Sequence, residues 1–133
     1  MLALRCRMIE VITNNPDIER LVPEDFALTL KTGGTSLEVF TLARDRIHLG
    51  AKLLAHPMAG RLRPNETPYA AAVLEGSEDG SIDFPSLEII EYCLAEEHKY
   101  AEMPKKYDEL LLPDLRFISC ELFQSILQEL NIR

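Results

Sequence analysis

The sequence predicts a three-layer α/β domain built on a small, mainly parallel sheet of three strands. Three observations carry that expectation. Short, β-branched apolar runs alternate along the chain with segments whose apolar residues recur every three or four positions, an order that right-handed crossovers turn into a parallel sheet with helices on its faces. At 133 residues the chain suits one core, because two would leave each half with little buried surface. Hydrophobic residues make up 47% and no Ser, Gln or Gly tract interrupts them, so a core can form across residues 1–133, with residues 1–7 as a tail before the first strand.

Met8-Ile9-Glu10-Val11-Ile12-Thr13 is a short apolar run that ends abruptly at Asn14-Asn15-Pro16, which predicts a buried strand over 8–13. Pro16 suits a first helical position that Asn14 or Asn15 can cap, giving a short helix over 16–22 before Pro23 stops it. Phe26, Leu28 and Leu30 then alternate with Ala27, Thr29 and Lys31, the period of two of a second strand over 26–31. After Gly33-Gly34, the run Thr35-Ser36-Leu37-Glu38 has the spacing of a capping box, in which the Thr oxygen and the Glu carboxylate satisfy free amide donors. The recurrence of Phe40, Ala43, Ile47, Gly50, Ala51 and Leu54 predicts a helix over 36–54, about 28 Å long. Residues 55–68 hold three prolines and a glycine, a long connection of the kind that carries function. A third strand follows over 69–75. Pro85, with Asp83 as cap, opens a helix over 84–101. Pro104 and Pro113 punctuate a short helix over 105–112 and a last one over 114–131, whose Leu115, Ile118, Leu122, Ile126 and Leu130 share a face.

No apolar run approaches the ~20 residues of a membrane span, and the charged start lacks the unbroken apolar stretch of a signal peptide. The three cysteines, Cys6, Cys93 and Cys120, form no metal-ligand spacing. They read as reduced thiols in the cytoplasm, with Cys93 and Cys120 as core packing. The net charge of −8 is unevenly spread. Residues 1–43 carry four basic and six acidic groups, residues 44–63 five and one, and residues 64–133 five and fifteen. An acidic total argues against nucleic acid or an anionic membrane as partner. The basic middle segment still suits a small anion.

Ligands of parallel α/β sheets collect at the carboxyl ends of strands, where loops meet helix amino termini. Asn14-Asn15 after the first strand and Gly33-Gly34-Thr35 after the second fall there, the latter leading into a helix whose first amides favour an anion. The same residues also read simply as a turn and a cap, since neither GxGxxG nor a Walker sequence is present. Arg44, His48 and Lys52 stand at intervals of four, in one helical stripe, and His56, Arg61 and Arg63 follow in the loop. Together they suit a phosphate or carboxylate; alternatively they form a solvated face whose arginines pair with acidic neighbours. No nucleophile-base pair, paired carboxylates or metal-ligand set stands at a diagnostic spacing, so neither metal nor cofactor is expected.

Four further runs carry a resemblance. Ile12-Thr13-Asn14-Asn15-Pro16, Arg44-Asp45 with Ile47-His48 and Gly50, Leu53-Leu54 with His56-Pro57 and Gly60, and Arg63-Pro64-Asn65 with Thr67-Pro68-Tyr69 resemble the GrdX family over most of residues 8–90. Its members are small proteins encoded beside the glycine, sarcosine or betaine reductase system of amino-acid-fermenting anaerobes. The resemblance implies that metabolic setting and a reductase-system protein as partner; it carries over no catalytic residue.

Three functions follow as expectations. The favoured one is a non-catalytic accessory or regulatory protein that holds a small anionic metabolite through Asn14, Asn15, Gly33, Gly34, Thr35, Arg44, His48, His56, Arg61 and Arg63. The alternative is a small enzyme acting on a phosphate or carboxylate compound, with His48 or His56 as general acid/base and Arg61 or Arg63 as anion clamp. The third is an interaction module, marked by an apolar surface patch or a homodimer formed through the last helix.

Overall fold

In this computed structural model, which describes residues 8–131, the first strand, β1 (Ile9–Thr13), decides the layering. Val11 and Ile12 point to opposite faces, and both are fully excluded from solvent. A strand buried on both sides needs a layer above it and another below. On one face α1 (Ser36–His48) and α2 (Phe84–Tyr100) meet the sheet around Ile12, Val39, Phe40, Ala43 and Ile90. On the other, the 3-10 turn Pro16–Leu21 and α3 (Leu112–Glu129) meet it around Ile9, Val11, Ile18, Phe123 and Leu127. The expected tail, residues 1–7, and Cys6 within it lie outside the described residues.

The sheet itself corrects the expectation. It has four strands, with β2 (Ala27–Leu30), β3 (Lys52–Leu53) and β4 (Ala71–Glu75) beside β1 in the order β2-β1-β4-β3. β1 and β2 are parallel, but β4 lies antiparallel to both β1 and β3. The sheet is therefore mixed, not mainly parallel and three-stranded, although the class remains α/β.

The cause is the end of α1. The apolar spacing predicts a helix to residue 54, whereas α1 stops at His48, because Gly50 takes φ +109° and a Cβ there would stand 2.7 Å from the Cα of Gly80. Only glycine fits that turn. The chain reverses, and Lys52 and Leu53 pair with Glu75 and Leu74. The buried Ala51 and Leu53 thus belong to the entry and inner face of an edge strand and not to further helical turns. With β3 running in the direction of β1, the next strand returns between them, antiparallel to each.

Other boundaries shift for local reasons. The helix expected over 16–22 is a 3-10 turn of six residues, Pro16–Leu21, capped by the Asn15 carboxamide oxygen, which accepts from the Asp17 N–H at 3.0 Å. The short helix expected over 105–112 shrinks to a 3-10 turn, Glu109–Leu111, capped by Asp108. α3 begins before Pro113, which sits in the first turn where its missing N–H would have no helical acceptor. Across the sheet's α1 face, Glu10 of β1 accepts from the Arg46 Nε at 2.9 Å and from the Thr29 hydroxyl at 2.6 Å. That hydrogen bond to Glu10 is the main reason the Arg46 pKa lies above its ordinary value. Among the described residues no helix is long and apolar enough to cross a membrane.

Two glycines separate conformational strain from collision. Gly33 also has positive φ, +79°, but open space around its missing Cβ, so Gly33→Ala is expected to cost about 1 kcal/mol from left-handed strain alone. Gly50→Ala adds the collision with Gly80 and is expected to cost more than twice as much, about 2–4 kcal/mol. Denaturant midpoints of the two variants check the difference.

Candidate functional site

β1, β2 and β3 run in one direction, so the residues that follow β1 and β2 share one end of the sheet with the entry to β4. Asn14 joins them. Its carboxamide nitrogen donates to the Gly34 carbonyl at 3.0 Å and the Pro68 carbonyl at 2.7 Å, and its oxygen accepts from the Ala70 N–H at 2.9 Å. Thr13 adds a bond from its hydroxyl to the Ala70 carbonyl at 2.7 Å. Asn15 reaches the opposite layer, donating to the Arg116 carbonyl at 3.1 Å beside the Cys120 sulfur. All three polar residues are buried, and each is satisfied by neighbours far away in sequence.

Above this junction opens a cleft of about 480 Å³ whose walls include Asn14, Gly33, Tyr69, Lys105, Tyr107 and Glu109. The Tyr69 hydroxyl accepts from Arg116 Nη1 at 2.9 Å, and the same guanidinium lies 5.9 Å from the Tyr69 ring centre and donates to Asp17 at 3.2 Å. Burial pushes the Tyr107 phenol up, with the Lys105 ammonium 5.9 Å from its ring. At the start of α1 the capping box is present: the Thr35 N–H donates to the Glu38 carboxylate at 2.8 Å, and the Glu38 N–H to the Thr35 hydroxyl at 3.1 Å. A protein carboxylate therefore already stands at the helix end that was expected to attract an anion.

The basic segment does not assemble. Arg61 is pinned inside the protein, its side chain 4% exposed: Nη1 donates to Glu97 at 3.0 Å, Nε to the Tyr69 carbonyl at 3.0 Å, and the guanidinium lies over the Phe40 ring at 5.6 Å. Ser36 donates to the second Glu97 oxygen at 2.6 Å. Desolvation lowers the Arg61 pKa against the pull of Glu97, and Nη2 has no acceptor. Arg44 faces Glu91 at 3.9 Å. His48 is exposed at the far end of α1, about 18 Å along the helix axis from the Gly34 turn, and Lys52 is exposed on β3. The His56 ring stands edge-on to Tyr92 at 5.9 Å, and its Nδ1 accepts from the Met58 N–H. Arg63 is exposed, and its N–H donates to Glu66.

Of the residues singled out in the sequence, the structure thus brings Asn14, Gly33 and Gly34 to the cleft wall and places Asn15 and Thr35 behind it as caps. Other walls include Tyr69, which the sequence placed at the start of a strand, and Lys105, Tyr107, Asp108 and Glu109, which escaped the sequence reading because residues 105–112 carry a helix-like apolar spacing. The Lys-Lys-Tyr-Asp-Glu run after Pro104, mixed in charge and aromatic, was the available signal. Both described thiols are buried core residues. Desolvation pushes Cys93 up to about 12 and raises Cys120, so neither is a thiolate at neutral pH. Among the described residues no group of His, Cys, Asp or Glu has the arrangement of a metal site.

A family model described as GrdX-like protein matches residues 10–128, from β1 to the penultimate residue of α3. The chain belongs to the GrdX-like family. No curated protein and no solved structure matches it. In this GrdX-like chain the match takes in the Asn14 junction, the pinned Arg61 and the whole cleft wall.

Two outcomes follow from the site's construction. Asn14→Ala leaves the Gly34 and Pro68 carbonyls and the Ala70 N–H without their partner, and is expected to cost about 2–4 kcal/mol in a denaturant melt. The Cys93 thiol should resist a thiol reagent at pH 8 until the chain unfolds. Its pKa in the folded chain lies above the ordinary 9.0, so its contribution to stability is intact below that pH and is lost as pH rises from about 9 toward 12. Denaturant midpoints measured through that window should fall less steeply for Cys93→Ala than for the parent.

Proposed function

We propose that this GrdX-like chain is a non-catalytic accessory or regulatory protein of reductive amino-acid metabolism, acting in the cytoplasm. It works by holding a small carboxylate- or phosphate-bearing metabolite in the cleft at the carboxyl ends of β1 and β2. The observation that carries this reading is the Asn14 carboxamide, whose three hydrogen bonds join the segments that form the cleft walls. A buried polar residue fixing three loops around a concavity of 480 Å³, within the usual size of small-molecule sites, favours a preformed binding site. The metabolic setting, and a reductase-system protein as recipient of the liganded state, come from the family resemblance alone.

The enzymatic alternative needs His48 or His56 beside an available Arg61 or Arg63. Arg61 is engaged with Glu97, His56 stands against Tyr92, and His48 ends α1 away from the Gly34 turn. These placements favour the binding reading.

A thermal-shift screen of the purified chain with acetyl phosphate, glycine, betaine and nucleotides tests it. A ligand at 100 times its dissociation constant adds about 2.7 kcal/mol, which raises the melting temperature of a domain this size by several degrees. Absence of a shift with all of them refutes the ligand-binding reading.

A further inference from the structure

The charges of the cleft do not match those of a simple anion site. The cation among its lining residues is Lys105, and the same cleft is lined by the carboxylates of Asp108 and Glu109. The arginines that would tip the balance toward an anion are already engaged, Arg61 on Glu97, Arg44 on Glu91, and Arg116, outside the lining, on Asp17 and the Tyr69 hydroxyl. A ligand bearing only negative charge would gain Lys105 and be repelled by two carboxylates at close range. A ligand bearing only positive charge would meet the reverse problem at Lys105.

The opposite charges of the wall also do not cancel each other directly. Among the described residues Lys105 forms an ion pair with neither Asp108 nor Glu109; its ammonium stands instead over the Tyr107 ring at 5.9 Å. One Asp108 oxygen caps the following turn, accepting from the Leu110 N–H at 3.0 Å. Two signs of charge therefore face one concavity without neutralising each other. Behind them Tyr69, held by Arg116, and Asn14 give a fixed floor.

Resting on the cleft reading above, we propose that the ligand of this site is a small zwitterion, a molecule with a cationic nitrogen and a carboxylate a few bonds apart. Its carboxylate pairs with Lys105 and its cationic nitrogen with Glu109 and the outer oxygen of Asp108. The volume of 480 Å³ leaves room for a free α-amino acid with bridging water, or for a longer derivative of one.

The test is NMR titration of the full chain with four probes at matched ionic strength: glycine, L-alanine, sodium acetate and methylammonium chloride, with inorganic phosphate as a fifth. The two amino acids are expected to shift the amide resonances of Gly33, Tyr107 and Glu109 saturably, at concentrations about tenfold below those at which either single-charge probe does so. Glu109→Gln, at an exposed position, is expected to weaken glycine about tenfold and leave acetate unchanged. Asp108→Asn, which keeps a capping oxygen, is expected to do the same. Acetate or phosphate binding as tightly as glycine overturns the zwitterion and leaves an anion in the same cleft, as does an unaltered glycine affinity in both carboxamide variants. If none of the five probes shifts those amides, the cleft reading falls together with the inference.

Discussion

Two buried asparagines organise this molecule. A carboxamide removed from water must have its donors and acceptor satisfied inside the protein, and the penalty for leaving them unmade is larger than the gain from any one bond. Asn14 meets that demand by joining the end of β1, the Gly34 turn and the entry of β4. Asn15 meets it by tying the same point to α3 and capping the turn that leads to β2. The layers are held by apolar contacts, but their registration at the carboxyl end of the sheet is fixed by these polar bonds, which are directional where hydrophobic burial is not.

The same logic explains the charged interior. An arginine and a glutamate taken out of water gain little net energy from each other unless further bonds complete their shells. Ser36 on Glu97 and the Tyr69 carbonyl on Arg61 supply most of that completion. The pair then crosslinks α1, α2 and the 54–70 connection, at the expense of one unsatisfied nitrogen, Arg61 Nη2. The acidic total of the chain is thus largely a surface property; among the described residues the buried Glu97 is matched by Arg61.

How much of this was legible in the sequence differs by feature. Local signals were reliable: the Thr35–Glu38 capping box and the Asp83 cap form where spacing placed them, and of the two asparagines offered as a cap before Pro16 it is Asn15 that serves. The parallel pairing of the first two strands was expected from the strand–helix–strand order along the chain. What periodicity could not show was a turn imposed by a distant contact. Gly50, Ala51 and Leu54 keep a helical spacing, yet the approach of Gly80 to Gly50 is information held in no local window; it adds the edge strand β3 and reverses the direction of β4. The same limit applied to the site. Asn14 and Gly34 stood out because they flank strands, whereas Lys105 and Glu109 reach the cleft only through tertiary folding. Basic residues close together in sequence were drawn apart, since α1 carries His48 away from its own first turn.

Tyr69 illustrates what a braced wall means for kinetics. Its carbonyl is held by Arg61, which α2 anchors through Glu97, and its hydroxyl by Arg116 of α3. Moving that residue, backbone and ring together, would disturb Arg61 and Arg116 at once. A small molecule arriving at such a wall meets a shape already formed there, with little ordering entropy to overcome. Encounter is then governed by diffusion and by the fit of the arriving molecule, and discrimination between similar molecules falls to how quickly the poorer fit leaves.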